Sequence, residues 1–330
     1  MSSPKLFFKS INRDAPRTLV LLHGGFCSHH EWDLVSQSPH ISSYHLLIPD
    51  LPAHGSSTSA SIPFNLPDAA SLLADLITKH AKHGKAGLIG LSLGGYTSIY
   101  MAQKYPGIVS DDGGKIIRGI FCLLSRQVSG SPASRAFPVT PGIINMFLLR
   151  WLRRIKNNVR SSVVFVTGCG HSWPRPNGVK SWAIGMLMFF FNYFIMSLPR
   201  PLFDWLAERR DLKINDDLYE AMKMGASFQL ARTISYSLGE DTVPEGGGTW
   251  KERYERTQAR TCIIAGAMHD FVGACSKRGT QLRKGNPGSR AFKIDGMQHT
   301  WNVQNPELFA QGIKSWIERK AMPDEFIILS

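Results

Sequence analysis

Leu88-Ile89-Gly90-Leu91-Ser92-Leu93-Gly94-Gly95-Tyr96 decides the fold. An apolar run, Ala86 to Leu91, leads into it and a helix-like run, Tyr96 to Tyr105, leads out. Between them stands Gly90-x-Ser92-x-Gly94. A serine hydroxyl is a poor nucleophile unless a base removes its proton and its Oγ stands clear of neighbouring side chains. A sharp strand-to-helix turn presents it that way, and the turn crowds its flanks so that small residues are needed two positions to either side. The N–H groups at the start of the following helix point at the site, where they can hold developing negative charge.

Working outward, short apolar runs recur. Arg17 to Leu22 and Tyr44 to Asp50 read as buried parallel strands, as do Arg160 to Gly168, Thr261 to Gly266 and Ser289 to Ile294. Lys5 to Ile11 reads as a first strand. Asn65 to His83 reads as a helix, with Leu66, Ala69, Ala70, Leu73, Leu76 and Ile77 at helical spacing, and Pro306 to Lys320 as a closing amphipathic helix. Alternating strands and helices predict an α/β fold, a mostly parallel sheet with helices on both faces. Loops at the carboxyl ends of the strands then form the site. His23-Gly24-Gly25-Phe26, the Asp50 to Ser57 loop and Ser92 all fall at such ends.

Length and composition agree with this reading. The 330 residues are 43% hydrophobic and 19% charged, enough for a large folded core. Five scattered cysteines with no paired spacing argue against a disulfide framework or a zinc site and suit a reducing, cytoplasmic compartment. Met1 to Arg17 has no long apolar run, so no secretory signal is expected. The net charge of +13 is not arranged with aromatics as nucleic-acid binding requires, and no nucleic-acid partner is expected. No dinucleotide fingerprint and no metal-ligand spacing occurs, and no cofactor is expected.

Taken in order, these pieces resemble an α/β-hydrolase with an inserted helical cap. The resemblance runs from about residue 17 to 319 and rests on His23-Gly24-Gly25-Phe26, Asp50-x-x-x-His54-Gly55-x-Ser57, the Ser92 turn, Asp270 and His299. It implies a serine hydrolase acting on a carboxylic ester, thioester or lactone through an acyl-enzyme on Ser92. His299 would be the general base and then acid, and Asp270 would orient it, in the chain order Ser, Asp, His. The oxyanion hole would use the backbone N–H groups of Leu93 and Gly25, with Phe26 as a substitute for the latter. Asp241 and Asp295 are rivals of Asp270. His54 and Asp50 would hold the neighbouring loop, His23 would pack behind the oxyanion loop, His269 would be a packing or pocket residue, and Cys27 would be filler. A serine at 92 departs from relatives that open epoxides or displace halide with a carboxylate. Rival readings are a lyase or carbon–carbon-cleaving enzyme of the same fold, and a receptor that kept the triad to hold a ligand.

Two stretches break the alternation. Ser110 to Val159 lies within the first core part (1–169), where a short connection from the helix after Ser92 to the next strand is usual. It carries eight basic residues against Asp111 and Asp112. It is either translated non-coding sequence, from an intron left in the gene model, or a basic excursion with a membrane-touching helix over Ile143 to Ile155. The second stretch, 170–250, is read as the helical cap, with the remaining core at 251–330. Its run Trp182 to Leu198 is read as a cap helix rather than a membrane span. Phe26, His171, Trp182, Met186 and Phe190 are the expected pocket lining, which predicts a small hydrophobic substrate. Direct membrane contact is not the expectation, and the sequence leaves oligomeric state open.

Overall fold

The computed structural model describes residues 5–60, 64–109, 163–169, 178–238 and 249–330. The chain opens with β1 (Phe8–Ile11), β2 (Thr18–Leu22) and β3 (His45–Pro49), then α1 (Leu66–His80), β4 (Gly87–Leu91), α2 (Leu93–Lys104) and β5 (Val163–Thr167). Next come α3 (Gly178–Met196), α4 (Arg200–Glu208), α5 (Asp216–Gly225), α6 (Phe228–Ser237) and α7 (Trp250–Arg256). It ends with β6 (Arg260–Gly266), α8 (Val272–Gly285), β7 (Arg290–Ile294), α9 (Pro306–Ile317) and β8 (Ile327–Ile328).

The strands form one sheet in the order β1-β3-β2-β4-β5-β6-β7-β8. The strands from β3 to β7 pair in parallel, while β1 and β8 close the edges antiparallel. The continuous apolar strands follow from burial on both faces. Val20, Leu88, Val164 and Val166 turn to one face, against Leu73, Tyr96 and Ile99 of α1 and α2. Leu19, Leu21, Ile89 and Phe165 turn to the other, against Trp32, Trp301, Phe309 and Ile313. A pleat of period two divides one sequence between two cores. Each fully buried side chain of this size adds about 1.5–3 kcal/mol to that packing.

Helix α1 starts where Asn65 caps it, its side chain accepting the N–H of Asp68 at 2.8 Å. Its buried stripe is the one expected from the spacing, Leu66, Ala69, Ala70, Leu73, Leu76 and Ile77. The short terminal strand β8 was not legible in advance. Two residues have no period to read, and only their pairing with Phe292 and Lys293 defines them.

Ser110 to Val159 lies outside the described residues, but its flanks are described. Val109 bridges Ala86 in parallel, with the Ala86 N–H donating to Ile108 O at 2.9 Å. The Ser92 N–H, which points the same way along β4, donates to Thr167 of β5. Leu88, two residues further along β4, pairs with Val164. Val109 therefore stands where the line of β5 begins.

Helices α3 to α6 are inserted between β5 and β6 and lie at the carboxyl ends of the strands. Pro199 turns α4 from α3 by 102°. The backbone of Arg232 comes close above Gly185, so α6 packs tightly on α3. Met196, Phe203, Ala207 and Tyr219 make a separate small core for this layer. The expected boundary at 250 shifts slightly. Trp250 opens α7 and meets Tyr96 edge to face with ring centroids 4.9 Å apart, so it packs with the sheet layer. Among the described residues no single helix is long and apolar enough to cross a membrane.

Candidate active site

Ser92 ends β4 and caps α2 with φ 48° and ψ −111°. This conformation is costly for a residue with a Cβ and persists only where the surroundings enforce it. They do so here. A Cβ at Gly90 would strike the Gly94 carbonyl, and one at Gly94 would strike the Leu22 carbonyl. The Ser92 N–H donates to Thr167 O at 2.8 Å, which ties the turn to the end of β5.

Asp270 and His299 come from two different loops, after β6 and β7. The loops are fastened to each other, Ala267 N–H to Ile294 O and Met268 N–H to Met297 O, both at 3.0 Å. His299 Nδ1 lies 2.5 Å from Asp270 Oδ1, and Asp270 Oδ2 accepts the Gly266 N–H at 2.9 Å. This contact places the proton on Nδ1 and leaves Nε2 as the free basic atom. Burial opposes a charged ring at His299. The hydrogen bond and charge of Asp270, with the charge of Glu31, outweigh it, and the pKa is raised above the ordinary imidazole value. Of the rivals, Asp295 pairs instead with Lys293, and Asp241 lies outside the described residues.

His299 and Ser92 both lie against the end of β5. The imidazole lies directly over Gly168, the residue after the carbonyl that receives the Ser92 N–H. A Cβ at Gly168 would be 2.8 Å from Nδ1 and 3.2 Å from Nε2, and closer still to Cε1. Gly168 also has φ 66°, which favours glycine. No hydrogen bond joins Ser92 Oγ to His299 in this resting geometry, and such bonds in unliganded sites often form only with substrate. Gly168 is a site residue that the sequence reading missed. Its only signal is a glycine immediately after a buried strand at the carboxyl edge.

Leu93 supplies the first backbone N–H of α2, and Gly25 faces it: a Cβ at Gly25 would be 4.0 Å from Leu93 Cδ2 and 3.2 Å from Ile234 Cδ1 of α6. Phe26 takes φ 66° under the cap, where Gly225 of α5 approaches its carbonyl closely. The loop is held from behind. His23 Nε2 accepts the Leu51 N–H at 2.9 Å, and its Nδ1 lies 2.7 Å from Gly24 O. Burial lowers the His23 pKa, so it serves as a neutral brace. Asp50 accepts the His29 and Ser56 N–H groups at 2.6 and 2.8 Å, and His54 Nδ1 bonds Pro52 O, which makes both loop-holding residues as expected. His269 is exposed on the turn rather than packed. Burial pushes the Cys27 thiol well up, so it is a neutral group and no nucleophile.

Between cap and core lies a cavity of about 140 Å³. Its walls correct the expected lining. Phe190 is 55% exposed on the outer face of α3, and neither it nor Met186 nor Phe26 reaches the cavity. His171 and the side chain of Trp182 lie outside the described residues. Among the described residues α3 reaches this cavity only through Ile195 in its last turn, while Met188 packs on the main core, and past the bend at Pro199 α4 and α5 supply Phe203, Leu206, Leu218 and Met222. The core side is Cys27, Glu31, Thr300 and Val303. Thr300 follows His299 in the chain and Glu31 accepts the Gly24 N–H, so the cavity adjoins the loops of the site, while Ser92 and His299 themselves are not in its wall. Glu31 was also missed in the sequence, where an acid after two histidines has no signal beyond its nearness to the glycine loop.

Among the described residues one set of ligand-type side chains comes together elsewhere, His30, Asp33 and Asp217. The Asp33 carboxylate there is already engaged by Lys9 and His30.

With this geometry in view, the comparisons with known proteins fall in line. A sequence model of the alpha/beta hydrolase family matches residues 19–311. An "AB hydrolase superfamily protein" of Gibberella zeae is 25% identical over 334 aligned positions, covering all of this chain and 89% of the relative. The solved structure of MenH from S. aureus superposes with a TM-score of 0.58 at 17% identity, covering 96% of this chain and 98% of that one. A thermophilic esterase from Thermogutta terrifontis does so with a TM-score of 0.55 at 15% identity, covering 95% and 93%. The glycine-flanked serine turn, the parallel sheet beneath it and a match across most of the chain make this protein a member of the alpha/beta hydrolase family.

Proposed function

We propose that this protein is a serine hydrolase that cleaves a carboxylic ester, thioester or lactone of a small hydrophobic substrate. One observation carries the reading. An Asp270-oriented imidazole lies over Gly168, one residue beyond the carbonyl bonded to the strained Ser92. In this mechanism His299 Nε2 takes the proton of Ser92 Oγ as the oxygen bonds to the substrate carbonyl carbon. The carbonyl oxygen becomes an oxyanion held by the Leu93 and Gly25 N–H groups. The imidazolium, stabilised by Asp270, gives its proton to the leaving group. Water, deprotonated by His299, then attacks the acyl-enzyme and releases the acid and Ser92. No step calls for a cofactor. The apolar cavity beside Thr300 is suited to the acyl chain.

The test is hydrolysis of a nitrophenyl ester series by the wild type and by Ser92→Ala, with fluorophosphonate labelling of Ser92. Rates are expected to rise from acetyl to medium-chain esters and to fall at least about 10³-fold in the variant. Equal rates in the two proteins would end the reading.

A further inference from the structure

Glu31 is the one buried carboxyl in the cavity wall, 2% exposed, and burial pushes its pKa up to about 7, so its ionised, acceptor form prevails above neutral pH. One carboxyl oxygen accepts the Gly24 N–H at 2.7 Å, and the Cys27 thiol also bonds the group. A carboxylate offers about four lone-pair directions, so two hydrogen bonds leave acceptor capacity unused. Among the described residues it has no ion-pair partner. The other charged group of the wall, Arg210, is exposed on the cap side. Apart from Cys27, Thr300 and Arg210 the wall around Glu31 is aliphatic and aromatic, where an ionised carboxyl with spare acceptor capacity is costly. A substrate that brings a donor to it removes that cost. Glu31 lies against the glycine loop, so the donor sits close to the reacting carbonyl.

We propose that Glu31 determines specificity by accepting a hydrogen bond from a hydroxyl near the carbonyl of the substrate's acyl chain, so that the favoured substrates are hydroxyacyl esters. This deepens the hydrolase reading and rests on its placement of the acyl chain. Loop-holding through Gly24 is a separate duty of the same carboxyl, and Glu31→Gln separates the two. The amide oxygen still accepts the Gly24 N–H, while the amide N–H₂ turns an acceptor into a donor.

The experiment measures binding without turnover, in Ser92→Ala, of methyl hexanoate, its 3-hydroxy derivative and its 3-methoxy derivative. With Glu31 present, the hydroxy ester is expected to bind about ten-fold tighter than the methoxy ester, which cannot donate. In Ser92→Ala/Glu31→Gln that ratio is expected to vanish or invert, an outcome a purely structural role does not produce. An unchanged ratio, no preference in the parent, or no binding of any of the three overturns the proposal. If the double variant fails to fold, the infrared carboxyl band of Ser92→Ala decides: a shift on adding the hydroxy ester alone supports the proposal, and no shift overturns it. Binding preference without hydrolysis by the wild type would sink the hydrolase reading, and with it the assignment of hydroxyacyl esters as substrates, leaving only hydroxyl recognition by Glu31 in binding.

Discussion

At Ser92 the backbone conformation is held by glycines rather than by the serine. Removing the space at Gly90 or Gly94 would push carbonyl oxygens of α2 or β2 aside, so these positions tolerate no Cβ. Gly168 answers the same need for the imidazole. Gly168→Ala is expected to displace the His299 ring and lower kcat/KM about 10²-fold or more, since a misplacement of about 1 Å costs that much. The check is to assay the variant alongside its thermal unfolding, because φ 66° adds strain to any side chain there. The raised pKa of His299 gives a second expectation. The base works when neutral, so activity is full above that pKa and is lost as pH falls through it. Asp270→Asn removes a charge that raises the pKa. The acid limb of the kcat/KM profile should therefore move to lower pH while the plateau falls several orders of magnitude. An unmoved limb would assign the titration to another group.

At the scale of the element, the cap shows how helical position separates two kinds of apolar residue. Ala183, Leu187, Phe190, Phe191 and Phe194 form one stripe of α3 that faces outward. Phe203 of α4 faces the cavity and the small core of the cap. Phe191 is 72% exposed and Phe203 6%. Phe191→Ser is accordingly expected to leave stability within about 0.5 kcal/mol of the wild type. Phe203→Ala should cost about 3–5 kcal/mol and weaken medium-chain esters most. Denaturant unfolding and the ester series read the two effects separately. From the sequence alone, the run from Trp182 to Leu198 reads as a cap helix with one face on the core and one over the pocket. Which of its residues lined a pocket depended on the 102° bend after Leu198, and that angle has no signature in α3 itself.

At the scale of the whole molecule, the sheet register bears on the stretch between β4 and β5. Val109 bridges Ala86 two residues before the Leu88–Val164 pair, so it stands where the line of β5 begins. A protein with Val109 joined directly to Val163 is expected to fold, with the Thr167 anchor of Ser92 intact and ester hydrolysis retained. Loss of cooperative unfolding in that protein would mean that the removed residues are needed for the fold. Sequencing the spliced message tests the non-coding alternative, which a message retaining the stretch in full rules out. What the sequence determined by itself was local and periodic. The apolar strand runs, the helical stripe of α1 and the glycines around Ser92 could be read because each is set by neighbours along the chain, whereas the order of serine, acid and histidine came from the family resemblance. Only the tertiary structure decided which acid met His299, that Gly168 lies under its ring, that Glu31 faces a cavity and that Phe190 does not. Those depend on where separate loops and helices come to rest, and contacts between residues far apart in the chain leave no period or spacing to read.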